Sequence, residues 1–224
     1  MTTKPTIAIT MGDPCGIGPE VLAKALAAPQ IWDWCQPLVV GDAGVMQEAL
    51  GLVGSSLRVA PVTAAPAEPA SGDTVSVLDP GDLDRGQVRV GNISAEAGRA
   101  SMGWVKLAAE TCISSSTAAM VTAPVNKEAC DLAGYKEIGH MEVLQALTES
   151  PNVATMLLAG GLRVVHLTTH RSLRRACDAV TRENVLAKIT LTHDGFRAWS
   201  IPEPRIAVAA LNPHGSDGGL LGDE

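Results

Sequence analysis

Two histidines stand where apolar runs give out: His170 closes LRVVHLTTH and His214 closes RIAVAALNPH. Neutral imidazoles at neighbouring strand ends can supply part of a divalent-metal site, with metal–nitrogen distances of about 2.0–2.1 Å for zinc. Two ligands are too few, because a catalytic metal takes about three protein ligands and keeps one position open. Period-two alternation puts His166 on the same strand face as His170, where it is either a further ligand or a packed core histidine. His193 sits among polar neighbours in a helical run and reads as solvated. The stretch TAPVNKEACDLAGYKEIGHME (122–142) sets Asn126, Lys127, His140 and Glu142 beyond a strand-like run. Open α/β sheets bind their ligands at that end of a strand. Lys127 offers an ammonium to a carboxylate or phosphate, or is an ordinary solvated charge at a helix start. His140, directly after Gly139, is either a ligand-binding group or a turn histidine with its hydrogen bond satisfied.

The elements that must carry these groups alternate. PTIAIT (5–10) is β-rich, MGDPCGIGPE (11–20) turns, and VLAKALAAP (21–29) is helical until its proline. PLVVGD (37–42) and VMQEALGL (45–52) repeat the unit, and APVTAAPAEPASGD (60–73) reads as a surface connection. In SAEAGRASMGWVKLAAETCISSS (94–116), Ala97, Trp104, Leu107, Ala108 and Cys112 fall at helical spacing, and AAMVTAP (118–124) is strand-like. ATMLLAG (154–160) and LRVVHLTTH (162–170) read as strands joined through Gly160 and Gly161. Thr181 caps a helix over 182–199, and PRIAVAALNPH (204–214) reads as a last strand. The expected class is α/β with a mixed sheet, in two α/β/α domains over residues 1–122 and 123–224.

The glycine-rich turn is ambiguous alone. Its glycines can bring backbone N–H groups to an anion, and Pro19 can start the helix that follows. It fails the Rossmann template, since Val21 stands where the third glycine belongs, and it lacks the Gly-Lys-Ser/Thr of a P-loop. A tight strand-to-helix turn with no ligand fits the spacing equally well.

Composition narrows the partners. The 224 residues are 46% hydrophobic, enough for a substantial core, and the formal net charge of -7 disfavours general nucleic-acid or membrane-surface binding. Aromatic residues, at 3%, leave little for base stacking. No run reaches the roughly 18 apolar residues of a membrane span. Five scattered cysteines without a C-x-x-C pair, and no secretory leader before Thr6, point to reduced thiols in a cytoplasm. The final LNPHGSDGGLLGDE closes on Asp223 and Glu224, residues suited to a helix's first turn, so further polypeptide is expected after them.

MGDPCGIGPE, TAPVNKEA, Gly139-His140 with Glu142, LTTH and LNPHGSDGGLLGDE, in this order and spacing, resemble the 4-hydroxythreonine-4-phosphate dehydrogenase family of pyridoxal phosphate biosynthesis. The resemblance spans the whole chain. It implies a fold like that of isocitrate and isopropylmalate dehydrogenases: two α/β/α domains with a cleft between them, in a homodimer whose active sites lie at the interface. It implies NAD bound without a Rossmann fingerprint, and a divalent metal (Zn, Mg, Co or Ni). By motif, His170 and His214 match two metal ligands and His140 matches a substrate-binding histidine. The family's third metal histidine lies in a Tyr-His-Asp-Gln motif beyond residue 224.

Where the biosynthetic members carry Gly-His-Thr-Glu, with the threonine contacting substrate, this chain has Gly139-His140-Met141-Glu142, and methionine offers no hydroxyl. The family also holds 4-phospho-threonate and 4-phospho-erythronate dehydrogenases, which the MGDPxGIGPE and APxNKEA motifs resemble more closely, and terephthalate cis-dihydrodiol dehydrogenases. The implied reaction oxidises the secondary hydroxyl of a 4-phosphorylated hydroxy acid such as 4-phosphohydroxy-L-threonine, and the 3-keto acid then loses CO₂. Competing classes are a metal-dependent hydrolase and a non-catalytic domain stapled by a metal.

Overall fold

The computed structural model describes residues 4–66, 72–136, 139–169 and 171–222. His170 therefore lies outside the described residues. Contacts gather into two compact units, Met1–Glu149 and Ser150–Glu224.

The first unit is built on five parallel strands: β1 (Thr6–Thr10), β2 (Gln36–Val40), β3 (Arg58–Val62), β4 (Thr74–Leu78) and β5 (Ala119–Thr122), in the order β3-β4-β2-β1-β5. Helices α1 (Gly18–Leu26), α2 (Pro29–Trp34), α3 (Ala43–Leu52) and α4 (Ala95–Ile113) connect them. Side chains fix several starts. The Asp42 carboxylate accepts from Val45 N at 2.7 Å to open α3, and Ser94 Oγ accepts from Ala97 N at 3.1 Å to open α4. The first crossovers wind from β1 toward the β3 edge, whereas β4 to β5 returns past β1 to the opposite edge. Right-handed crossovers in opposite directions put their helices on opposite faces of a sheet. Packing agrees: α1 lies against α3, and α4 lies across β1, β2 and β5. Leu38, Val40, Val75 and Val77 from the strands, Leu26 and Leu50 from one helical layer and the fully buried Trp104 from α4 form the core.

Two short helices complete this unit, α5 (Lys127–Leu132) and α6 (His140–Thr148), both packed on α4. Gly98 makes the α4–α5 approach possible, since a Cβ there would lie 2.0 Å from Ala129 O. Residues beyond 122 thus continue the first compact unit as far as Glu149.

The second unit holds an antiparallel hairpin, β6 (Met156–Ala159) and β7 (Leu162–Val165), then α7 (Leu173–Asp178) and α8 (Arg182–Ala198). The Gly160–Gly161 turn and the Thr181 cap, whose Oγ1 accepts from Asn184 N at 3.2 Å, stand as expected from sequence.

Three expectations need correction. The connection expected at 60–73 begins inside β3, which contains Pro61; β3 is an edge strand, and an edge tolerates a residue with no N–H to donate. The sheet is not mixed, because the antiparallel pair stands apart in the second unit. The strand expected over 204–214 does not form among the described residues: 204–210 join no ladder, and residues 211–214 bend and turn.

Candidate functional site

The direction of winding reverses between β1 and β5, and α/β sheets bind ligands outside the carboxyl ends of their strands at such a reversal. Two loops meet there. Asp13 N donates to Pro124 O at 3.0 Å, tying the loop after β1 to the loop after β5. Gly12 takes φ +73° in this contact, and a Cβ on it would sit 2.4 Å from Pro124 O; a Cβ on Gly18 would sit 2.3 Å from Met11 O. These two glycines are demanded by backbone packing against backbone, so the turn needs no bound anion to explain them.

Beneath that turn lies Asp13, which sequence reasoning passed over. It is 5% exposed, and its Oδ1 accepts from Cys15 N at 2.7 Å. Burial pushes its carboxyl above the usual carboxylate range, and the Cys15 amide partly offsets that. Burial also pushes up the Cys130 thiol on α5; a Ser101 hydrogen bond lowers it and the nearby Asp13 charge raises it again. The signal in the sequence was Gly12-Asp13-Pro14, an aspartate placed to fold back on the turn's own amides.

Asn126 opens α5 by accepting from Ala129 N at 3.0 Å, which sets the exposed Lys127 at the first helical position beyond β5. Helix α6 opens at His140 after Gly139. Cys130 of α5 and Val143 of α6 share one apolar cluster with Met102 and Val105 of α4, so Lys127 and His140 begin helices seated on the same face of α4. The Glu142 carboxylate folds back over Gly139, where a Cβ would lie 2.0 Å from Glu142 Oε2. His140 Nε2 is buried with no hydrogen-bond partner, a state shared among the described residues with Thr10 Oγ1 and Trp104 Nε1. Burial lowers the imidazole's pKa and the Glu142 charge opposes that shift, leaving a ring that favours the neutral form. Met141 follows it, half-buried.

The histidines of the second unit are placed differently. His166 lies one residue past β7, and its N donates to Thr155 O at 3.3 Å. His193 lies on α8 with Nδ1 3.1 Å from Asp194 Oδ1. His214 is exposed; its backbone N donates to Asn212 Oδ1 at 3.0 Å and its Nδ1 lies 3.2 Å from Asp217 Oδ2. A carboxylate held against one imidazole nitrogen is the usual way a metal-binding histidine is oriented, so His214 with Asp217 fits a single ligand position. Among the described residues no group of three His, Cys, Asp or Glu is placed to hold a metal, so they do not compose a metal centre.

A sequence model of the family described as pyridoxal phosphate biosynthetic protein PdxA matches residues 33–224. A protein of Symbiobacterium thermophilum, provisionally named D-threonate 4-phosphate dehydrogenase, is 42% identical over 228 residues, covering 100% of this chain and 67% of its own length. The 4-hydroxythreonine-4-phosphate dehydrogenase of Trichlorobacter lovleyi is 40% identical over 226 residues, with the same coverage of 100% and 67%. The crystal structure of 4-hydroxythreonine-4-phosphate dehydrogenase from Klebsiella pneumoniae matches with a TM-score of 0.90 at 36% identity, over 98% of this chain and 68% of that one. With its ordered motifs, its parallel sheet and these relatives, the chain belongs to the PdxA family of pyridoxal phosphate biosynthetic proteins.

Proposed function

We propose that this protein carries out the NAD-dependent, divalent-metal-dependent oxidation of the secondary hydroxyl of a 4-phosphorylated hydroxy acid, with loss of CO₂ from the 3-keto acid. The observation that carries the reading is His140: a neutral imidazole whose Nε2 has no partner within the described chain waits for a hydrogen bond from outside it. Family membership and the relatives' names support the substrate class.

The chain's own groups divide the binding work. His140 meets a polar group of the substrate as hydrogen-bond donor or acceptor, since a neutral imidazole can do either. Lys127 presents its ammonium to the phosphate or carboxylate, steadied by the Asn126 cap of its helix. When bound, NAD supplies the hydride acceptor, and a divalent metal (Zn, Mg, Co or Ni) with His170 and His214 among its ligands supplies Lewis acidity toward the hydroxyl.

Between the two substrates named for the relatives, D-threonate 4-phosphate is favoured. They differ at C2, hydroxyl against amine, and Met141 stands where the biosynthetic motif has a substrate-contacting threonine, so the substrate here is held differently or is itself different. We further propose an isocitrate/isopropylmalate dehydrogenase-like architecture of two domains, residues 1–122 and 123–224, with a cleft between them. The active form is a cytoplasmic homodimer with its sites at the interface. No helix among the described residues is long and apolar enough to cross a membrane.

NADH formation on D-threonate 4-phosphate and on 4-phosphohydroxy-L-threonine, with and without a chelator, tests the reading. Chelator-sensitive NADH with the first substrate preferred is expected. Phosphate release without NADH would establish a metal-dependent hydrolase instead, and neither product would leave a metal-stapled domain.

A further inference from the structure

The backbone does not demand a glycine at 139, since its φ of -107° and ψ of 145° suit any residue. What Gly139 supplies is space. A Cβ built there would lie 2.0 Å from Glu142 Oε2 and 3.0 Å from Glu142 Cδ, so the Glu142 carboxylate fills the slot that a side chain on 139 would take. Glu142 is exposed, and burial therefore does not hold it in this folded-back pose, which costs a flexible side chain its freedom. Two attractions remain. Gly139 opens α6 with no side-chain cap, and Glu142 is the acidic residue of that helix's first turn, where a carboxylate complements the unpaired N–H groups. The other is His140, whose imidazole feels the Glu142 charge.

The helices packed with α6 hold other charges, and these are engaged or turned to solvent. On α4, Arg99 pairs with Glu96 and the Lys106 ammonium lies 4.9 Å from the centre of the Tyr135 ring; on α5 the buried Cys130 thiol stays protonated. Glu110, Lys127, Glu128 and Asp131 of the same helices are exposed. The charge that acts on the His140 ring is that of Glu142. Because His140 Nε2 has no partner among the described residues, the ring keeps its aim only if the turn that carries it is fixed.

We propose that Glu142 is a positioning residue for His140: seated in the Gly139 slot, its carboxylate fixes the first turn of α6 and so the direction in which the imidazole meets the substrate. Glycine stands at 139 to make room for that carboxylate. The proposal rests on the substrate-binding role proposed for His140, but the seating of Glu142 does not.

Two variants separate seat from charge. Gly139→Ala adds a methyl that displaces the carboxylate and leaves it in the chain, whereas Glu142→Gln removes the charge and keeps the shape. The His140 ring is titrated by NMR, without substrate, in the parent, both variants and the double variant. Each single change is expected to lower the ring's midpoint by about 0.3 pH or more. The double variant is expected to match Glu142→Gln, because no charge is left for the methyl to displace. Glu149→Gln, which removes a carboxylate from the far end of α6, should leave the midpoint where it is. In turnover of D-threonate 4-phosphate, Gly139→Ala is expected to lower kcat/KM at least about fivefold and Glu142→Gln to lower it less, with circular dichroism unchanged in both. A Gly139→Ala midpoint equal to the parent's, or a double variant that falls further than Glu142→Gln, would overturn the proposal. So would variants that melt earlier but keep the parent's midpoint and kcat/KM, the mark of a helix cap alone. If the parent forms no NADH, the proposed function fails, and the ring titration still decides whether Glu142 sits against His140.

Discussion

The amide of Asp13 donates to the carbonyl of Pro124 across 3.0 Å, and that bond joins the loop after β1 to the loop that launches Lys127. Two segments more than a hundred residues apart in sequence are thereby held as one surface at the carboxyl edge of the sheet.

Gly12 sits inside this junction. Alanine there meets two obstacles: the φ of +73° disfavours any L side chain, and the added Cβ would lie 2.4 Å from a backbone oxygen that cannot swing away. Gly12→Ala is expected to cost at least about 3 kcal/mol, in the range of overpacking combined with backbone strain. Denaturant unfolding measures it, with Gly54→Ala as control, since that glycine has φ +67° but nothing within 4 Å. Equal losses at both positions would show that dihedral strain alone matters.

Asp13 yields a prediction of opposite sign. Its folded pKa is raised, so the folded chain keeps the proton to a higher pH than the unfolded chain, and stability falls as pH rises from the unfolded value of about 3.9 through the folded one. Asp13→Asn retains an Oδ1 acceptor for Cys15 N and removes the buried charge. It should unfold at pH 7 no more easily than the parent and lose that acid-side slope. Asp13→Ala leaves the amide unpaired and should cost about 1–3 kcal/mol. A thermal melt in which the asparagine variant is the weaker of the two contradicts this account.

Much of this was legible beforehand, for physical reasons. β1, β2 and β5 are short apolar runs flanked by turn residues, and Thr181 precedes a helical run as a hydroxyl cap. What escaped depends on distant partners. Nothing local in RIAVAAL says whether a neighbouring strand exists, and nothing local in MGDPCGIGPE says that Gly12 presses on Pro124. The choice between ligand and turn histidine at His140 likewise rested on whether its ring nitrogen finds a partner once α6 packs on α4.

His140 carries a pH signature. Burial holds its pKa below the ordinary value of about 6.5, so the folded form stays neutral while the unfolded form takes up a proton. Stability is complete above pH 6.5 and is lost as pH falls through the folded pKa. His140→Gln should flatten that acid-side loss and lower kcat/KM by about tenfold or more, the worth of one good hydrogen bond. Wild-type kcat/KM that declines with an apparent pKa above 6.5 assigned to this ring by NMR would contradict the burial argument.

Met141 lies beside that ring and lacks the hydroxyl of the biosynthetic motif. If it selects substrate, Met141→Thr should raise kcat/KM for 4-phosphohydroxy-L-threonine by recovering a hydrogen bond of about 0.5–1.5 kcal/mol, and lower it for D-threonate 4-phosphate. The parent and Met141→Thr are assayed on both substrates and on 4-phospho-erythronate. Parallel changes on all three would show that the position does not discriminate.

His214 lies in a loop, yet its ring is not left loose: Asp217 Oδ2 stands 3.2 Å from Nδ1, and Asn212 Oδ1 accepts its backbone N–H at 3.0 Å. A loop histidine serving only the fold would contribute little from so exposed a position, whereas a ligand needs just this kind of orientation by a carboxylate. His214→Ala is therefore expected to leave the fold intact by circular dichroism and to abolish metal-stimulated NADH formation. Asp217→Asn keeps a hydrogen-bonding group but removes the charge, and should weaken metal binding by about 10–100-fold, the usual cost of losing an orienting partner. Calorimetric titration with Zn²⁺ and Mg²⁺ compares the three proteins. If the alanine variant binds either ion as tightly as the parent and turns over as fast, His214 has no place at the metal, and its contact with Asp217 serves only to shape the glycine-rich turn.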